Sequence, residues 1–329
     1  MKIAVVGCGA VGSFYGARLA RAGHETHFLL RSDYEVVRRQ GVQIRSPQGD
    51  FHVRIRCART PGEIGTADLV LIGLKTTAND QFARLLPPLV GPATAILTLQ
   101  NGLGNEAALA QLFPARQILG GLCFVCLNRL EPGLIHHIDH GLVVLGEFEN
   151  GLQPRTHRLA EALRQAGVLC NLTDNLARAH WEKLTWNIPF NGLGVAAAAG
   201  YDRLVNGKTG QPLPQTAEPL STFTTDRLLG DSRWAELVRE LMLEVIASAA
   251  RLGFPLPQSL ADEQMERTRS MGAYKASTLI DFERHQPLEL ESLFLVPLRE
   301  ARAAGGSVPR LEALCDVLQQ LEYRRLQGL

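Results

Sequence analysis

The chain has 329 residues, of which 46% are hydrophobic and 20% charged, and its formal net charge is +1 at pH 7. This composition is typical of a globular protein long enough for two domains, and it excludes a disordered or fibrous chain. The 34 basic and 33 acidic side chains nearly balance, so no positive field is available to hold a nucleic acid, and we expect no such partner.

The N-terminus and the cysteines indicate a cellular location. Residues 1–6 lead directly into a glycine loop, without the longer apolar stretch and cleavage site of a signal peptide. The longest apolar runs, such as 69–74, are too short to span a membrane. Six scattered cysteines suggest reduced thiols rather than a disulfide framework. We therefore expect a cytoplasmic protein with no membrane partner.

The first half alternates short apolar runs with amphipathic stretches. The predicted strands are 3–6, 26–30, 69–72 and 95–99, and the predicted helices are 11–22, 34–40, 77–89 and 105–112. Near-continuous apolar strands that alternate with helices predict a Rossmann-type α/β domain, whose doubly wound, mainly parallel sheet is covered on both faces. Four further runs look like antiparallel additions, at 42–44, 51–55, 134–138 and 142–145.

The second half lacks strand-like runs and reads as an all-α domain. Its predicted helices are 176–199, 234–252, 259–269, 291–303 and 309–326. We place the domain boundary at residue 174, which gives an α/β domain over 1–174 and a helical domain over 175–329. The polar stretch 200–231, which is rich in glycine and proline, is predicted to be a surface insertion.

A glycine loop follows the first predicted strand and opens the first predicted helix. It has the G-x-G-x-x-G spacing, and its residues are Gly7, Cys8, Gly9, Ala10, Val11 and Gly12. In this context the glycines let the backbone approach a pyrophosphate at the helix N-terminus, which predicts a dinucleotide site. The alternative is a tight turn without a ligand.

The end of the second predicted strand indicates which dinucleotide is bound. NAD enzymes usually carry Asp or Glu at this point to bind the ribose 2′-hydroxyl, whereas this chain has Arg31 after Leu30. A guanidinium there suits a 2′-phosphate, so the sequence predicts NADPH/NADP as cofactor. The alternative is a solvated arginine that precedes the next helix.

Polar residues also follow the next two predicted strands. Lys75 lies after 69–72, and Asn101 lies after 95–99. Because the carboxyl ends of parallel strands face the ligand crevice, both residues are candidates for cofactor contact. Each is about equally well explained as a turn residue, since Asn-Gly is a common turn.

The first helix of the second half carries a stripe of polar side chains. Lys183, Asn187 and Asn191 are spaced four residues apart and project from one face of an otherwise apolar helix. One ammonium and two carboxamides suit the wall of a binding pocket. The alternatives are a stripe that faces solvent, or an asparagine pair that caps neighbouring helices. Pro189 should kink this helix.

With these motifs in view, the chain resembles the ketopantoate reductase (2-dehydropantoate 2-reductase) family, over nearly its whole length outside 200–231. Six motifs carry the resemblance in order. They are the glycine loop with Arg31, Leu74-Lys75-Thr76-Thr77, Leu99-Gln100-Asn101-Gly102, Trp181-Glu182-Lys183, the pair Asn187 and Asn191, and Ser277-Thr278-Leu279-Ile280-Asp281 followed by Glu289.

The resemblance implies a reaction and its catalytic residues. It implies NADPH-dependent reduction of 2-dehydropantoate to pantoate, a step toward pantothenate and coenzyme A. Lys183 would be the general acid, and Glu289 would lie close to that lysine and to the substrate hydroxyl. From the residues alone, Glu289 is equally well explained as an acid at a helix start.

The resemblance also implies binding roles. The substrate-binding residues would be Asn101, Asn187, Asn191 and Ser277, of which Ser277 would bind the carboxylate; the cofactor-binding residues would be Lys75, Asn101 and, through its backbone, Cys126. The expected partner is a small 2-keto acid, and a homodimer is left open. Ser277 can also be explained as a helix N-cap.

Departures from the family pattern keep the substrate open. The family often has an Asn-Gly pair where this chain has Phe294 and Leu295, and the loop after the Lys183 helix reads Gly200-Tyr201. Another branched 2-keto acid, a β-hydroxyacid or polyol dehydrogenase reaction, and a non-catalytic NADPH sensor are the alternatives. We expect no metal, because the Cys123–Cys126 pair has no second ligand pair and strand residues three apart face opposite sides.

Overall fold

The computed structural model describes residues 1–207, 210–213 and 221–327. The chain forms two compact units, Met1–Ala179 and His180–Leu329. The division falls within one helix, which begins at Leu176. The boundary expected from the sequence, at residue 174, lies just before that helix.

The first unit is built on a mixed sheet of ten strands. The strands are β1 Lys2–Val6, β2 Glu25–Leu29, β3 Val42–Arg45, β4 Phe51–Val53, β5 Arg56–Ala58, β6 Leu69–Ile72, β7 Ala95–Thr98, β8 Ile118–Glu131, β9 Leu134–Glu147 and β10 Cys170–Leu172. Their order is β4-β3-β9-β8-β7-β6-β1-β2-β5, and β10 pairs with β9. The strands from β5 to β8 in this order are parallel.

Helices connect the parallel strands and cover both faces of the sheet. They are α1 Ala10–Arg21, α2 Tyr34–Gln40, α3 Pro61–Ile64, α4 Phe82–Leu85, α5 Asn105–Ala110 and α6 Pro154–Gln165, with 3₁₀ turns at Thr76–Gln81, Pro87–Leu89 and Ala115–Gln117. Along β1, Ile3 and Val5 belong to one buried apolar cluster, and Ala4 and Val6 belong to another. Since successive strand residues face opposite sides, β1 is buried on both faces.

The structure confirms the predicted α/β class but changes the details of the sheet. The sheet is not wholly parallel, because β3 and β4 pair antiparallel, as do the fourteen-residue strands β8 and β9. The predicted strands 134–138 and 142–145 are one strand with a register shift near His140, where His140 and Gly141 have φ of 64° and 133°. A bulge of this kind breaks the alternation of side chains, which is why the sequence reads as two short strands.

The second unit is helical throughout its described residues. It contains most of α7 Leu176–Ala196, then α8 Tyr201–Val205, α9 Thr225–Gly230, α10 Ser232–Arg251, α11 Ser259–Arg269, α12 Ser277–Glu283, α13 Val296–Ala303 and α14 Pro309–Gln327, with a 3₁₀ turn at Ala197–Ala199 and a π turn at Glu291–Leu295. Helix α7 passes through Pro189. A Cβ on Gly192 would lie 2.6 Å from Leu314 and 2.9 Å from Phe294, so glycine lets α7 pack closely against these neighbours.

The predicted surface insertion, residues 200–231, is partly helical and partly buried. It contains α8 and α9, and Leu228 is fully buried. Arg203 lies 2.6 Å from Asp316 of α14, and the Leu213 N–H donates to the Gln320 side chain at 2.8 Å. These contacts attach the described part of the stretch to α14. Residues 208–209 and 214–220 lie outside the described residues.

Neither a membrane span nor a metal centre emerges from the described parts of the chain. No helix there combines the length and the apolar character that crossing a membrane needs. No three histidine, cysteine or acidic side chains of that same part gather into a metal-binding group.

Gly41 offers a test of how the chain leaves α2. Its φ of 75° and ψ of −158° are open almost only to glycine, and a Cβ would lie 2.5 Å from the Val53 carbonyl oxygen. We expect Gly41→Ala to destabilise the protein by about 1–3 kcal/mol, measured as a lower midpoint of thermal unfolding. The control is Gly62→Ala in α3, where a Cβ meets no atom within 4 Å. Equal midpoints for the two variants would contradict this account.

Candidate cofactor and substrate sites

The glycine loop joins β1 to α1 through a tight contact of backbone with backbone. Gly7 has φ of 94°, and a Cβ there would lie 2.2 Å from the backbone nitrogen of Leu74. A Cβ on Gly12 would lie 2.1 Å from the Gly7 carbonyl oxygen, and one on Gly73 would lie 2.8 Å from Gly12. No other residue fits these positions without moving the backbone, so the glycines hold the first turn of α1 against the ends of β1 and β6.

Gly9 differs from these glycines, because a Cβ there would meet no atom within 4 Å. It is the N-cap of the twelve-residue helix α1, and it has no side chain that could cap the first N–H groups. The loop therefore presents open space and backbone donors at the positive end of a helix. A pyrophosphate fits this arrangement.

The other side chains of the loop lie toward the protein. The Cys8 thiol donates to the Leu29 carbonyl oxygen at 3.6 Å, and burial raises the pKa of Cys8 well above its usual range. Val11 packs against an apolar cluster of the sheet. With these side chains directed inward, the loop offers mainly backbone groups to a ligand. Ala10, at the start of α1, contributes only a methyl side chain.

Two opposite charges follow β2. Arg31 is exposed, and it forms no ion pair with another described residue. Asp33, the N-cap of α2, is buried and lies 2.6 Å from the guanidinium of Arg129 on β8. Arg31 therefore has no acidic partner among the described residues, whereas the neighbouring Asp33 is paired with Arg129.

The strands β2, β1, β6 and β7 end in one row, which places their following loops side by side. Val6 pairs with Leu29 and with Ile72, and Ile72 pairs with Thr98. The glycine loop, Arg31, Lys75 and Asn101 each follow one of these strands. The structure thus brings most of the predicted cofactor residues to one edge of the sheet. The remaining one, Cys126, is buried within β8, in register with Asp139.

A chain of side-chain amides ties the loop after β6 to the loop after β7. Asn79 donates to Asn105 Oδ1 at 2.9 Å and accepts from Gln100 Nε2 at 2.7 Å. Gln100 Oε1 accepts from the Thr98 hydroxyl at 2.8 Å, and Asn105 donates to the Asn101 carbonyl oxygen at 3.1 Å. This network fixes the backbone at Asn101. Gln100 and Asn105 are buried, so the bonds of this network are at least partly shielded from water.

The polar stripe of α7 is largely buried. Asn187 and Asn191 are 6% and 3% exposed, and Lys183, one turn earlier, is half-buried. The amide nitrogen of Asn191 lies 3.5 Å from Asn187 Oδ1. The stripe therefore does not face solvent at the two asparagines, which disfavours one of the alternatives raised by the sequence.

Asn191 also binds the start of α12. Its Oδ1 accepts from the Ser277 hydroxyl at 3.2 Å and from the Thr278 N–H at 3.1 Å. It thereby serves as the cap that Ala276, the N-cap residue, lacks, so the capping role considered for the asparagines is present here. Ser277 is the first helical residue rather than the N-cap. Glu289 is buried, and its carbonyl oxygen accepts from Leu293 N–H at 3.3 Å.

Sequence reasoning did not find Asn79, Gln100 or Asn105 as a network, and it did not find the Asp33–Arg129 pair. Each of these contacts joins residues from different loops or strands, so no spacing along the chain announces it. The one available signal was that Gln100 and Asn105 lie within the segment that follows a predicted strand.

These features together define the class: a dinucleotide-type glycine loop in a Rossmann-type sheet, followed by a helical unit, is the architecture of an NAD(P)-dependent oxidoreductase. Models of the family described as "Ketopantoate reductase PanE/ApbA" and "Ketopantoate reductase PanE/ApbA C terminal" match residues 3–150 and 215–322. The chain belongs to this family of oxidoreductases, which confirms the resemblance found in the sequence.

Proteins named 2-dehydropantoate 2-reductase are similar to this chain over almost its full length. One from Nostoc sp. is 35% identical and covers 99% of this chain and 97% of its own. The crystal structure of one from Geobacter metallireducens is 44% identical, with a TM-score of 0.87 and coverage of 97% and 99%. Another from Methylococcus capsulatus is 33% identical, with a TM-score of 0.85 and coverage of 99% and 98%.

The amide network predicts a stability effect at Asn79. Asn79→Leu removes both bonds and leaves Gln100 Nε2 and Asn105 Oδ1 without these partners, each at a cost of about 1–3 kcal/mol. We expect a clearly lower midpoint of thermal unfolding. The control is Asp80→Ala at the exposed neighbouring position, which should leave the midpoint almost unchanged. If the two variants unfold at the same temperature, the network does not stabilise the fold.

Proposed function

We propose that this protein reduces 2-dehydropantoate to pantoate with NADPH, a step toward pantothenate and coenzyme A. The observation that carries the proposal is the largely buried polar stripe of α7, in which Asn187 and Asn191 adjoin Ser277. The chain that carries it belongs to the ketopantoate reductase family. Burying two carboxamides inside an apolar helix costs free energy unless they are hydrogen-bonded. Asn191 meets this requirement through its bonds to α12, and recognition of a substrate oxygen by Asn187 would meet it for the other carboxamide.

The choice of NADPH is supported by the charge at the end of β2. Arg31 is exposed and has no described acidic partner, so its guanidinium is available to pair with a 2′-phosphate. The backbone donors of the loop from Gly7 to Gly12 would hold the pyrophosphate, and Lys75 and Asn101 would contact the nicotinamide–ribose end. The bound cofactor supplies a hydride to the keto carbon of the substrate.

The role proposed for Lys183 is general acid. As the carbonyl oxygen gains negative charge, the ammonium stabilises it and then donates a proton from Nζ, an effect typically worth about 10²–10⁴-fold. Glu289 is proposed to hold this ammonium in place by charge and hydrogen bonding. Because Glu289 is buried, a cationic partner would offset the cost of keeping its carboxylate ionised.

The asparagines and the serine are proposed to orient the substrate. No hydrogen bond joins Asn187 Nδ2 to another of the described residues, so this donor is available to a substrate oxygen. Asn191 Oδ1 is already occupied by Ser277 and Thr278. Asn191 therefore acts first on Ser277, whose hydroxyl we assign to the substrate carboxylate, and on the substrate through its amide nitrogen.

A second candidate is the reduction of a different branched 2-keto acid. It is favoured by Phe294, which is fully buried in the π turn where the family often has an asparagine. An apolar side chain cannot replace a carboxamide contact to a substrate hydroxyl. For the location we propose the cytoplasm, because none of the six cysteines forms a disulfide and thiols stay reduced there.

A substrate panel tests the proposed reaction. Loss of NADPH absorbance is followed with 2-dehydropantoate and with 2-keto acids that lack its hydroxyl, each with NADPH and with NADH. We expect the highest kcat/KM for 2-dehydropantoate with NADPH, because a site that hydrogen-bonds a substrate hydroxyl discriminates strongly against analogues without it. A higher kcat/KM for another branched acid would support the second candidate, and no turnover with any acid would favour a sensor.

Lys183→Met tests the general acid. We expect kcat to fall by about 10²–10⁴-fold because the proton donor is lost, while the Kd of NADPH, measured by fluorescence titration, stays the same. Lys2→Met is the matched control, since Lys2 begins β1 at the end opposite the glycine loop, and its kcat should not change. Near-normal turnover by Lys183→Met would remove the assignment.

A further inference from the structure

Asp33 places a carboxylate two residues beyond Arg31, at the carboxyl end of β2. The residue is only 8% exposed. Its carboxylate accepts a hydrogen bond from the Ser32 hydroxyl at 2.9 Å and lies 2.6 Å from a terminal nitrogen of Arg129. The chain therefore has both an acidic residue, Asp33, and a basic residue, Arg31, where it is expected to contact the adenosine ribose of the cofactor.

The charge of Asp33 extends to the glycine loop. Burial is the main cause that raises the pKa of the Cys8 thiol, and the Asp33 carboxylate raises it further, as does Cys57. Asp33 is thus within electrostatic reach of the loop whose backbone would hold the pyrophosphate. A negative charge at this place also acts on a phosphate group bound there.

An acid after the second strand normally selects NAD. It accepts a hydrogen bond from the ribose 2′-hydroxyl, and it repels a 2′-phosphate, since like charges a few ångströms apart disfavour each other. Left unpaired, Asp33 would oppose the selectivity that Arg31 provides. The sequence alone leaves this conflict unresolved.

Arg129 is held beside Asp33 at a cost. Its Nε is buried and has no hydrogen-bond partner within the described residues, and a buried donor without a partner is unfavourable. The side chain of Asp33 is 11% exposed and that of Arg129 39%, so this ion pair is more shielded from water than the surface pairs of α2. A short, partly buried, charge-assisted contact offsets the cost of the unpaired Nε.

We propose that Arg129 is a determinant of cofactor selectivity: by pairing with Asp33 it cancels the charge of an acid that would otherwise reject the 2′-phosphate of NADPH. The inference rests on the proposed use of NADPH. Arg31 attracts the phosphate directly, whereas Arg129 acts through Asp33. The two arginines therefore have separable effects on binding.

Binding measurements on the full chain test this proposal without turnover. The Kd values of NADP⁺, NAD⁺ and adenosine 2′,5′-bisphosphate are measured by calorimetry for wild type, Arg129→Gln, Asp33→Asn and the double variant. Arg239→Gln is the matched control, because it makes the same change in a surface ion pair with Asp262 in the second unit. Thermal unfolding of each variant reports whether it is folded.

We expect Arg129→Gln to raise the Kd of NADP⁺ and of adenosine 2′,5′-bisphosphate by about tenfold, the order expected for one uncompensated charge near a phosphate. The Kd of NAD⁺ should stay the same or fall. Adding Asp33→Asn should restore the Kd of NADP⁺ to within about twofold of wild type, because the two residues are coupled. Arg239→Gln should change none of these values.

Three results would overturn this proposal while leaving the proposed use of NADPH intact. Arg129→Gln can weaken NADP⁺ and NAD⁺ equally, which would indicate a purely structural role, or it can leave both unchanged. The double variant can fail to recover NADP⁺ binding, which would show that Arg129 does not act through Asp33. A wild-type protein that binds NAD⁺ more tightly than NADP⁺ would instead overturn both this inference and the proposed use of NADPH.

Discussion

Backbone meets backbone where Gly7, Gly12 and Gly73 come together at the carboxyl end of β1, and the rest of the first unit depends on this contact. A side chain at any of the three would overlap main-chain atoms of another part of the chain. Their absence lets the first turn of α1 lie directly on the ends of β1 and β6. The N–H groups of that turn are thereby aimed at one place, where Gly9 leaves room for a ligand.

The same edge of the sheet shows how polar groups are kept in order where strands end. Asn79 links two loops through amide hydrogen bonds, and Asp33 is held by an arginine from a strand on another part of the sheet. Strand ends leave polar backbone and side-chain groups without regular partners. Neighbouring loops supply those partners here and hold the groups in fixed positions, as preorganised recognition requires.

In the second unit, Asn191 of α7 is hydrogen-bonded both within its own helix and to the start of α12. Asn191 connects Asn187 with Ser277 and Thr278. One side chain therefore both completes a helix cap and sets the position of a hydroxyl that we assign to the substrate. Asn191 can therefore have a structural and a functional role at once. The capping bonds occupy its amide oxygen, and its amide nitrogen lies along the polar stripe toward Asn187.

Local patterns were enough to predict the parallel core strands, the glycine loop, the helical second unit and the polar spacing on α7, since periodicity and glycine spacing are properties of neighbouring residues. They did not predict that 134–147 is one bulged strand, or that part of 200–231 packs onto α14. They also missed the pairing of Asp33 with Arg129 and of Asn79 with Asn105. These features join residues far apart in the chain, and only the folded arrangement of strands and loops decides which of them meet.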